Sequence, residues 1–271
     1  MLNDEQIEQY HRDGYILASG LFGGAQLDEL EREFDAIIDR RMKNRARIRT
    51  VWQGDWNQDP SLHLISTHDL QAYSAAWTRA LVEPAFVDTI AQVIGPNVQL
   101  HHTKMFQKPP EKGAGFPMHQ DHPYFPHDHD TMIAAVIHLS EATEEMGCLC
   151  FYPGSHRQGP IETYKQPDGG PQNHYLDPAD WPVEKATRCP ARRGDVVIFS
   201  YLTIHGSAPN RSNRTRKTVL IQLRDPADRP TTGDHPSHGQ GLMLGGVDPL
   251  EGRHAAGGSL HLPREEHTKP A

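Results

Sequence analysis

The chain has 271 residues, a formal net charge of −8, 23 glycines and 22 prolines. This length suits one large domain with a sizeable core, and the many glycines and prolines favour a turn-rich globular protein over a helical bundle. The negative charge argues against a nucleic-acid-binding protein, and no apolar segment reaches the roughly 18 residues of a membrane span. We therefore expect neither nucleic acid nor a membrane as a partner.

The first third of the chain is expected to be mainly helical. Asn3 and Gln6 have the spacing of a capping box, and Gly14 favours a helix end after it. Hydrophobic periodicity then separates the later segments. The predicted elements are a strand over 15–19, helices over 25–40, 74–82 and 85–94, and an irregular segment over 41–72.

After Gly95 the pattern changes to short apolar segments separated by Gly, Pro and Asn, which is typical of a β-sandwich or barrel. Strands are expected over 97–107, 116–120, 131–139, 147–152, 194–200, 202–205 and 216–224. The predicted fold class is mostly β with flanking helices around a double-stranded β-helix, a cupin-like jelly roll. We expect one domain over 1–271, with N-terminal helices at about 4–94, the core at about 95–225 and a tail at 226–271.

The three cysteines indicate the compartment. Cys148, Cys150 and Cys189 are odd in number and lack the spacing of a disulfide framework or a zinc finger. They are predicted to be buried thiols in a reducing environment. The N-terminal sequence MLNDEQIEQY is polar and acidic, unlike a signal peptide. We expect a cytoplasmic protein that is a monomer or a homodimer.

Two His-x-Asp pairs are candidates for metal binding. Residues two apart point to the same face of a strand but lie about 200° apart around a helix. His11 and Asp13 fall in the predicted first helix, so they are expected to be surface residues. His119 and Asp121 fall where an extended segment meets a turn, so their side chains can converge on one ion. The sequence therefore favours the second pair.

A third ligand is needed for a non-haem iron site, which uses two histidines and one carboxylate. The best candidate is His205, which follows an apolar segment on a different predicted strand. The alternative reading is a hydrogen-bonded histidine at a strand end. Residues 127–130, with the sequence HDHD, are interpreted as a solvated turn. His101 and His102 are adjacent and are expected to point to opposite faces of a strand.

A basic segment, NRSNRTRK, follows His205. If a small dicarboxylate completes the iron site, a guanidinium group can bind its far carboxylate with two hydrogen bonds. Arg214 and Arg216 share one face of the next strand, and Arg211 lies in the turn before it. The residues alone leave all three open, together with the reading that they are solvated turn charges.

The segment from Gly95 to about Leu223 closely resembles the phytanoyl-CoA dioxygenase (PhyH-like) family of Fe(II)/2-oxoglutarate-dependent oxygenases. The order and spacing of several motifs together carry the resemblance, which covers about half of the chain firmly and the N-terminal helices loosely. The matching motifs are GPN, KPP, MHQDHPYFP, GCLCFYPGSH, GDVVIF and HGSAPNRSNRTRK. The resemblance implies an enzyme that uses Fe(II), 2-oxoglutarate and O2 to hydroxylate a C–H bond, giving succinate and CO2.

The resemblance also implies roles for individual residues. The iron ligands correspond to His119, Asp121 and His205, and the arginine that anchors 2-oxoglutarate corresponds to Arg216. A carboxylate at position 121 implies oxygenation, since halogenating relatives have a small residue there. Further implied contacts to 2-oxoglutarate are Ser207, Gln120 and Lys104. The family often has methionine at the position of Lys104, and several members have tryptophan at that of Val136.

The substrate is the least determined part of the prediction. A small-molecule metabolite is favoured, and the candidates for contacting it are Trp52, Trp56, His122, Tyr124 and Phe125. The alternatives are an acyl-CoA or lipid hydroxylase of the same mechanism, a metal-binding family member without turnover, and an interaction protein that uses the histidines structurally. The basic stretch 40–49 is the only one suited to a CoA group, and it is interpreted as a solvated helix end.

Overall fold

A computed structural model of the chain describes residues 1–44, 46, 48–50, 59, 61–165, 174–232 and 236–249. The helices of these residues lie before the main β region, as predicted. They are α1 (Asp4–Asp13), α2 (Gly24–Lys43), α3 (Leu70–Tyr73), α4 (Ala75–Leu81) and α5 (Pro84–Ile94). None of the described helices has the length and apolar character needed to cross a bilayer.

The first helix forms as its sequence predicts. Asn3 Oδ1 accepts a hydrogen bond from the Gln6 amide at 2.9 Å, and Gln6 Oε1 accepts one from the Asn3 amide at 3.0 Å. Gly14 ends the helix with a φ of 80°, in the left-handed region that glycine tolerates best. The capping box and the glycine together set both ends of α1, so the chain can turn directly into the first strand.

Two antiparallel sheets make up the β part of the described residues. Their strands are β1 (Tyr15–Ala18), β2 (Arg49–Thr50), β3 (Leu64–His68), β4 (Val98–Lys108), β5 (Phe116–His119), β6 (Ile133–His138), β7 (Leu149–Phe151), β8 (Thr187–Cys189), β9 (Val196–Ser200), β10 (His205–Ser207), β11 (Arg216–Arg224) and β12 (Met243–Gly245). The larger sheet has the order β1-β9-β6-β11-β4-β3-β2, with β12 paired to β4, and the smaller has the order β5-β10-β7-β8. This mostly β architecture with flanking helices confirms the predicted fold class.

The core lies on both sides of the larger sheet. On its outer side, α2 buries an apolar stripe that contains Leu30 and Phe34, and these residues pack with those of α4 and α5. On its inner side, Val136 and Phe199 of the larger sheet pack with Leu149 of the smaller sheet. The two sheets therefore face each other, and the side chains that lie between them can form an enclosed site.

The structure contains strands that periodicity did not indicate. β3 lies in the segment predicted to be irregular and pairs with β4, and β12 lies in the predicted tail and pairs with the same strand. β10 begins at His205, whereas the strand was predicted to end there. A tight turn in which the Thr203 amide donates to the Ser200 carbonyl at 2.8 Å precedes it and interrupts the ladder.

Candidate active site

A histidine from each of two neighbouring strands and an aspartate from the following turn meet between the sheets. His119 on β5 lies directly opposite His205 on β10, and their ring centroids are 4.2 Å apart. Asp121 Oδ1 lies 3.5 Å from His119 Nε2 and 3.8 Å from His205 Nε2. All three residues are buried, and one potential ligand atom from each lies within 4.8 Å of the others. Strand pairing has thus brought together the residues that the sequence predicted to converge.

Hydrogen bonds orient the two imidazole rings. His119 Nδ1 lies 2.8 Å from the Pro117 carbonyl oxygen, and His205 Nδ1 lies 2.9 Å from that of Thr203. Because a carbonyl oxygen only accepts, each Nδ1 carries a hydrogen, and in the neutral form of each ring Nε2 keeps its lone pair. These lone pairs belong to the atoms nearest Asp121. Two neutral imidazoles and one carboxylate are the donor set that non-haem iron(II) sites use, so the residues fit this metal.

The electrostatics of the cluster agree with that donor set. Burial and the neighbouring His119 lower the pKa of His205 to about 4, so its ring is neutral at neutral pH. Burial raises the pKa of Asp121, but the two imidazoles and the amide of Gln222 more than offset this and hold that pKa below its usual range. Gln222 Nε2 donates to Asp121 Oδ2 at 3.3 Å, which fixes the carboxylate. The cluster therefore holds an ionised carboxylate beside the neutral ring of His205.

Two buried cations lie at one end of the same cavity. Arg216 opens β11 and is paired in register with Lys108, the last residue of β4. Lys108 Nζ donates to Ser207 Oγ at 2.7 Å and to the Ala208 carbonyl at 2.6 Å. Arg216 donates from Nη1 to the Gly147 carbonyl, and its buried Nε has no hydrogen-bond partner among the described residues.

These cations are not neutralised by an acidic side chain. No carboxylate of the described residues lies within ion-pair distance of Arg216 or Lys108. Burial lowers the pKa of Arg216 to about 10, while burial and the neighbouring Arg216 lower that of Lys108 well below its usual value. Since an unpaired buried charge is costly, this pair is suited to bind an anion.

A glycine is required where the Arg216 guanidinium meets the backbone. Gly147 has a φ of 67°, and a Cβ atom there would lie 2.1 Å from the Ala208 carbonyl oxygen. The turn before β7 can therefore approach the segment after β10 only with glycine at this position. The same close approach sets the Gly147 and Ala208 carbonyls around the two cations.

The cavity between the sheets has a volume of about 390 Å³. It contains the histidine–aspartate cluster and the cationic pair, and Ser207, Lys104, Tyr124, Phe125 and Val136 also line it. These positions agree with the predicted contacts to a cosubstrate and a substrate. Trp52 and Trp56, the other predicted substrate contacts, lie outside the described residues.

Two residues predicted to contact a cosubstrate or substrate do not line this cavity. Gln120 lies between the two clustered residues in sequence, and alternation directs its side chain away from the cavity. Its Nε2 donates to the carbonyls of Leu202 and Gly159, and its Oε1 accepts from the Ile161 amide at 2.8 Å. His122 is not among the cavity-lining residues either, because the short 3-10 turn after Asp121 packs its ring against Tyr201.

The three arginines at and before the start of β11 differ in their exposure to solvent. Arg214 is exposed and forms an ion pair with Glu141 at 2.9 Å, and Arg211 is also exposed. Arg216 is the one that lies in the cavity.

His127, predicted to lie in a solvated turn, is instead buried, and its Nε2 is 2.7 Å from Arg224 Nη1.

The cavity contains basic residues that the sequence analysis did not select. Lys108 and His68 lie at cavity-facing positions, and their involvement depends on strand pairing that no local pattern reveals. His102 also lines the cavity, although alternation placed it opposite His101. The pairing of β4 with β11 shifts register so that His101 is an extra residue between the paired positions 100 and 102. Such a bulge brings the two rings together, with their Nδ1 atoms 2.8 Å apart.

Comparison with known proteins agrees with this geometry. A model of the phytanoyl-CoA dioxygenase (PhyH) family matches residues 10–218. Peroxisomal phytanoyl-CoA dioxygenase of Bos taurus is 27% identical over 235 residues, which cover 83% of this chain and 69% of that protein. A probable alpha-ketoglutarate-dependent hypophosphite dioxygenase of Stutzerimonas stutzeri is 32% identical over 222 residues, which cover 80% of this chain and 77% of the relative.

The fold also matches that of a solved structure. The non-haem alpha-ketoglutarate-dependent carbocyclase SnoK from nogalamycin biosynthesis superposes with a TM-score of 0.69 at 18% identity, covering 89% of this chain and 93% of SnoK. The fold and the histidine–aspartate cluster define a non-haem Fe(II)/2-oxoglutarate-dependent dioxygenase. The chain belongs to the phytanoyl-CoA dioxygenase (PhyH) family, whose enzymes use Fe(II), 2-oxoglutarate and O2.

Proposed function

We propose that the chain hydroxylates an unactivated C–H bond of a compact metabolite. One atom of O2 enters the C–H bond as a hydroxyl group, the other enters succinate, and 2-oxoglutarate loses CO2. The observation that carries this proposal is the shared cavity, which combines a buried His119–Asp121–His205 cluster with two buried cations that form no ion pair with a carboxylate of the described residues.

His119, Asp121 and His205 are proposed as the iron ligands. Bound Fe(II) supplies the activation of O2 that organic side chains cannot provide. The backbone carbonyls that accept from the two Nδ1–H groups keep the imidazole rings in the binding tautomer. Gln222 holds one oxygen of Asp121, so the other carboxylate oxygen is directed at the histidine nitrogens. Three protein ligands leave positions for the cosubstrate and O2.

Arg216, Lys108 and Ser207 are proposed to bind the far carboxylate of 2-oxoglutarate. The guanidinium presents a planar set of donors that matches a carboxylate, and its Nε is still unpaired. Lys108 is held beside it by three oxygen acceptors, which are the Ser207 hydroxyl and the Ala208 and Gly147 carbonyls. A dianionic cosubstrate would neutralise the charge that burial makes costly here, so the binding site and its ligand are complementary.

A compact substrate is favoured over an acyl-CoA. A cavity of about 390 Å³ lies at the small end of the range typical of ligand sites, and the cosubstrate takes part of it. The Stutzerimonas relative is named for hypophosphite, which is a very small molecule. Tyr124 and Phe125 line the cavity and are proposed to contact the substrate.

We further propose that residues 1–271 act as one catalytic domain. β1 and β3, which precede Gly95, pair within the same sheet as β4 and β11, so the N-terminal part contributes to the wall of the cavity as well as to the helices. The three cysteines are free and buried, which supports a reducing, cytoplasmic environment. A monomer or homodimer is proposed for the assembly.

An anaerobic titration tests the proposed function. Metal-free protein is mixed with Fe(II) and then with 2-oxoglutarate, and the visible charge-transfer band of the chelated 2-oxo acid is followed. The band is expected in the wild type and absent when His119 or His205 is replaced by alanine. Iron binding without a band would instead support a metal-binding protein without turnover. Succinate release across a metabolite panel then identifies the substrate.

A further inference from the structure

A second group of basic side chains lies in the same cavity, further along β4 from the cosubstrate end. Alternation along this strand places Lys104, Phe106 and Lys108 on one face, and all three line the cavity. Four residues of strand separate the two lysines by about 13 Å at the Cα atoms. Lys104 is paired in register with His68 of β3, and the cavity-lining His102 follows two positions away on β4.

Lys104 differs from Lys108 in having no oxygen acceptor. Lys108 donates to the Ser207 hydroxyl and to backbone carbonyls, whereas the ammonium group of Lys104 has no hydrogen bond or ion pair among the described residues. The ammonium group instead lies over the Phe106 ring, whose centroid is 5.0 Å from Nζ. An ammonium group has three donors, so Lys104 retains its full capacity to bind an anion.

The proposed ligands of the site do not neutralise Lys104. The nearby Asp121 is assigned to the metal, where its charge is used for coordination. The far carboxylate of 2-oxoglutarate is assigned to Arg216 and Lys108, at the other end of β4. Lys104, His68 and His102 form a basic wall, and the ammonium group of Lys104 remains after the iron and the cosubstrate have been accounted for.

The position of this wall relative to the metal site limits what can bind there. Gln222 on β11 lies opposite His102 in register and donates to Asp121, so the metal cluster lies at the level of this end of β4. The rings of His68 and His102 have centroids 5.9 Å apart and line the same part of the cavity. An anionic head bound by these groups would hold an attached carbon next to the metal site.

We propose that the primary substrate is a compact organic oxyanion, a phosphonate or a carboxylate, whose charged head is bound by Lys104 with His68 and His102. The carbon next to that head would then be the one presented for hydroxylation. This inference rests on the proposed function, because it depends on the residues assigned to the iron and to 2-oxoglutarate. It also assigns Lys104 to the substrate, where the family resemblance placed that position near 2-oxoglutarate.

The test uses the anaerobic Fe(II)·2-oxoglutarate form of the full chain. Methylphosphonate, ethylphosphonate, acetate and propionate are added separately, and acetamide and propionamide serve as neutral counterparts. The change in the charge-transfer band reports binding, and succinate release in air reports turnover. The variants are Lys104→Met, which keeps length but removes charge, Lys104→Arg, which keeps the charge, and Lys185→Met as an exposed control.

At least one anion is expected to change the band and stimulate succinate release, while the amides do neither. Lys104→Met should weaken that anion's effect at least about tenfold, the loss expected for one hydrogen bond to a charged group. Lys104→Arg should retain most of it and Lys185→Met all of it. The concentration of 2-oxoglutarate that half-forms the band should change less than twofold in Lys104→Met. Whichever class of anion, phosphonate or carboxylate, has the stronger effect on the band and on succinate release identifies the head group.

Other outcomes would overturn the inference. Amides that act as strongly as the anions, or no response to any anion, would show that the wall does not select charge. A large rise in the 2-oxoglutarate requirement of Lys104→Met would place this lysine on the cosubstrate. Absence of the band in the wild type is a separate result, because it refutes the proposed function itself before any substrate is added.

Discussion

Arg216→Ala removes the guanidinium group that is proposed to bind the far carboxylate of 2-oxoglutarate. In the native chain this group is buried, is fixed at one end by the Gly147 carbonyl and keeps Nε unpaired. A hydrogen bond to a charged group contributes about 1.5–3 kcal/mol, so a bidentate pair of such bonds between arginine and a carboxylate contributes about 3–6 kcal/mol. At about 1.4 kcal/mol per tenfold change, the 2-oxoglutarate requirement should rise by a factor of about 10² to 10⁴.

The lower end of this range is the expected result. Lys108 remains beside the vacated space, and its pKa will rise once the neighbouring guanidinium is removed, because Arg216 is one of the causes that lower it. A fully charged Lys108 can still attract the carboxylate, although without the planar geometry of arginine. We therefore expect the concentration of 2-oxoglutarate for half-formation of the charge-transfer band to increase about a hundredfold.

Arg214→Ala is the matched control for this experiment. Its side chain is 56% exposed and pairs with Glu141 at the surface, where such pairs contribute little. The 2-oxoglutarate requirement should therefore be that of the wild type. Circular dichroism establishes that both variants are folded. A wild-type requirement in folded Arg216→Ala, or a large increase in Arg214→Ala, would refute the assignment of the anchor.

Four further substitutions test other parts of the structure. His119→Ala or His205→Ala should abolish iron-dependent succinate formation without unfolding the chain, and wild-type turnover in either variant would contradict their assignment as ligands. Lys108→Met should raise the 2-oxoglutarate requirement at least about tenfold; an unchanged requirement with a lower melting temperature would leave this lysine only the structural task of holding Ser207. Burial and the neighbouring Arg216 lower the pKa of His138 to about 3, whereas its ordinary value is about 6.5. Between pH 6.5 and pH 3 the unfolded chain therefore binds a proton that the native chain does not bind. The free energy of unfolding should fall by up to about 1.4 kcal/mol for each pH unit over this range. Urea unfolding at pH 7 and pH 5 should show a smaller loss of stability in His138→Gln than in the wild type, and equal losses would refute this role.

Most of the histidine–aspartate cluster could be predicted from sequence because the geometry of two of its residues is local. His119 and Asp121 are two residues apart at the end of a strand, and a period of two is enough to place both side chains on one side. The third residue, His205, could be proposed only as a candidate, since its neighbour in space is set by the pairing of β5 with β10. The local pattern thus indicated the pair, and the family resemblance selected the third member.

Gln120 shows that the same local rule can correct a resemblance. A residue between two cavity-facing positions of an extended segment points to the opposite side, so alternation alone would have excluded it from the cosubstrate pocket. The observed hydrogen bonds to Gly159, Leu202 and Ile161 instead assign it to tying β5 to the loops behind the smaller sheet. Motif position was a weaker guide here than strand geometry.

The two histidines of the basic wall could not have been predicted, and the reason is physical. Periodicity assigns His101 and His102 to opposite faces, but the extra residue in β4 is a property of its pairing with β11 and leaves no mark in the β4 sequence. The position of His68 opposite Lys104 depends on β3, which lies in a segment without regular hydrophobic periodicity. Two of the three proposed iron ligands therefore follow from a short motif, whereas the third ligand and the histidines proposed to select the substrate are positioned by long-range register. Replacing residues of the motif tests the reaction, and replacing Lys104 tests the choice of substrate.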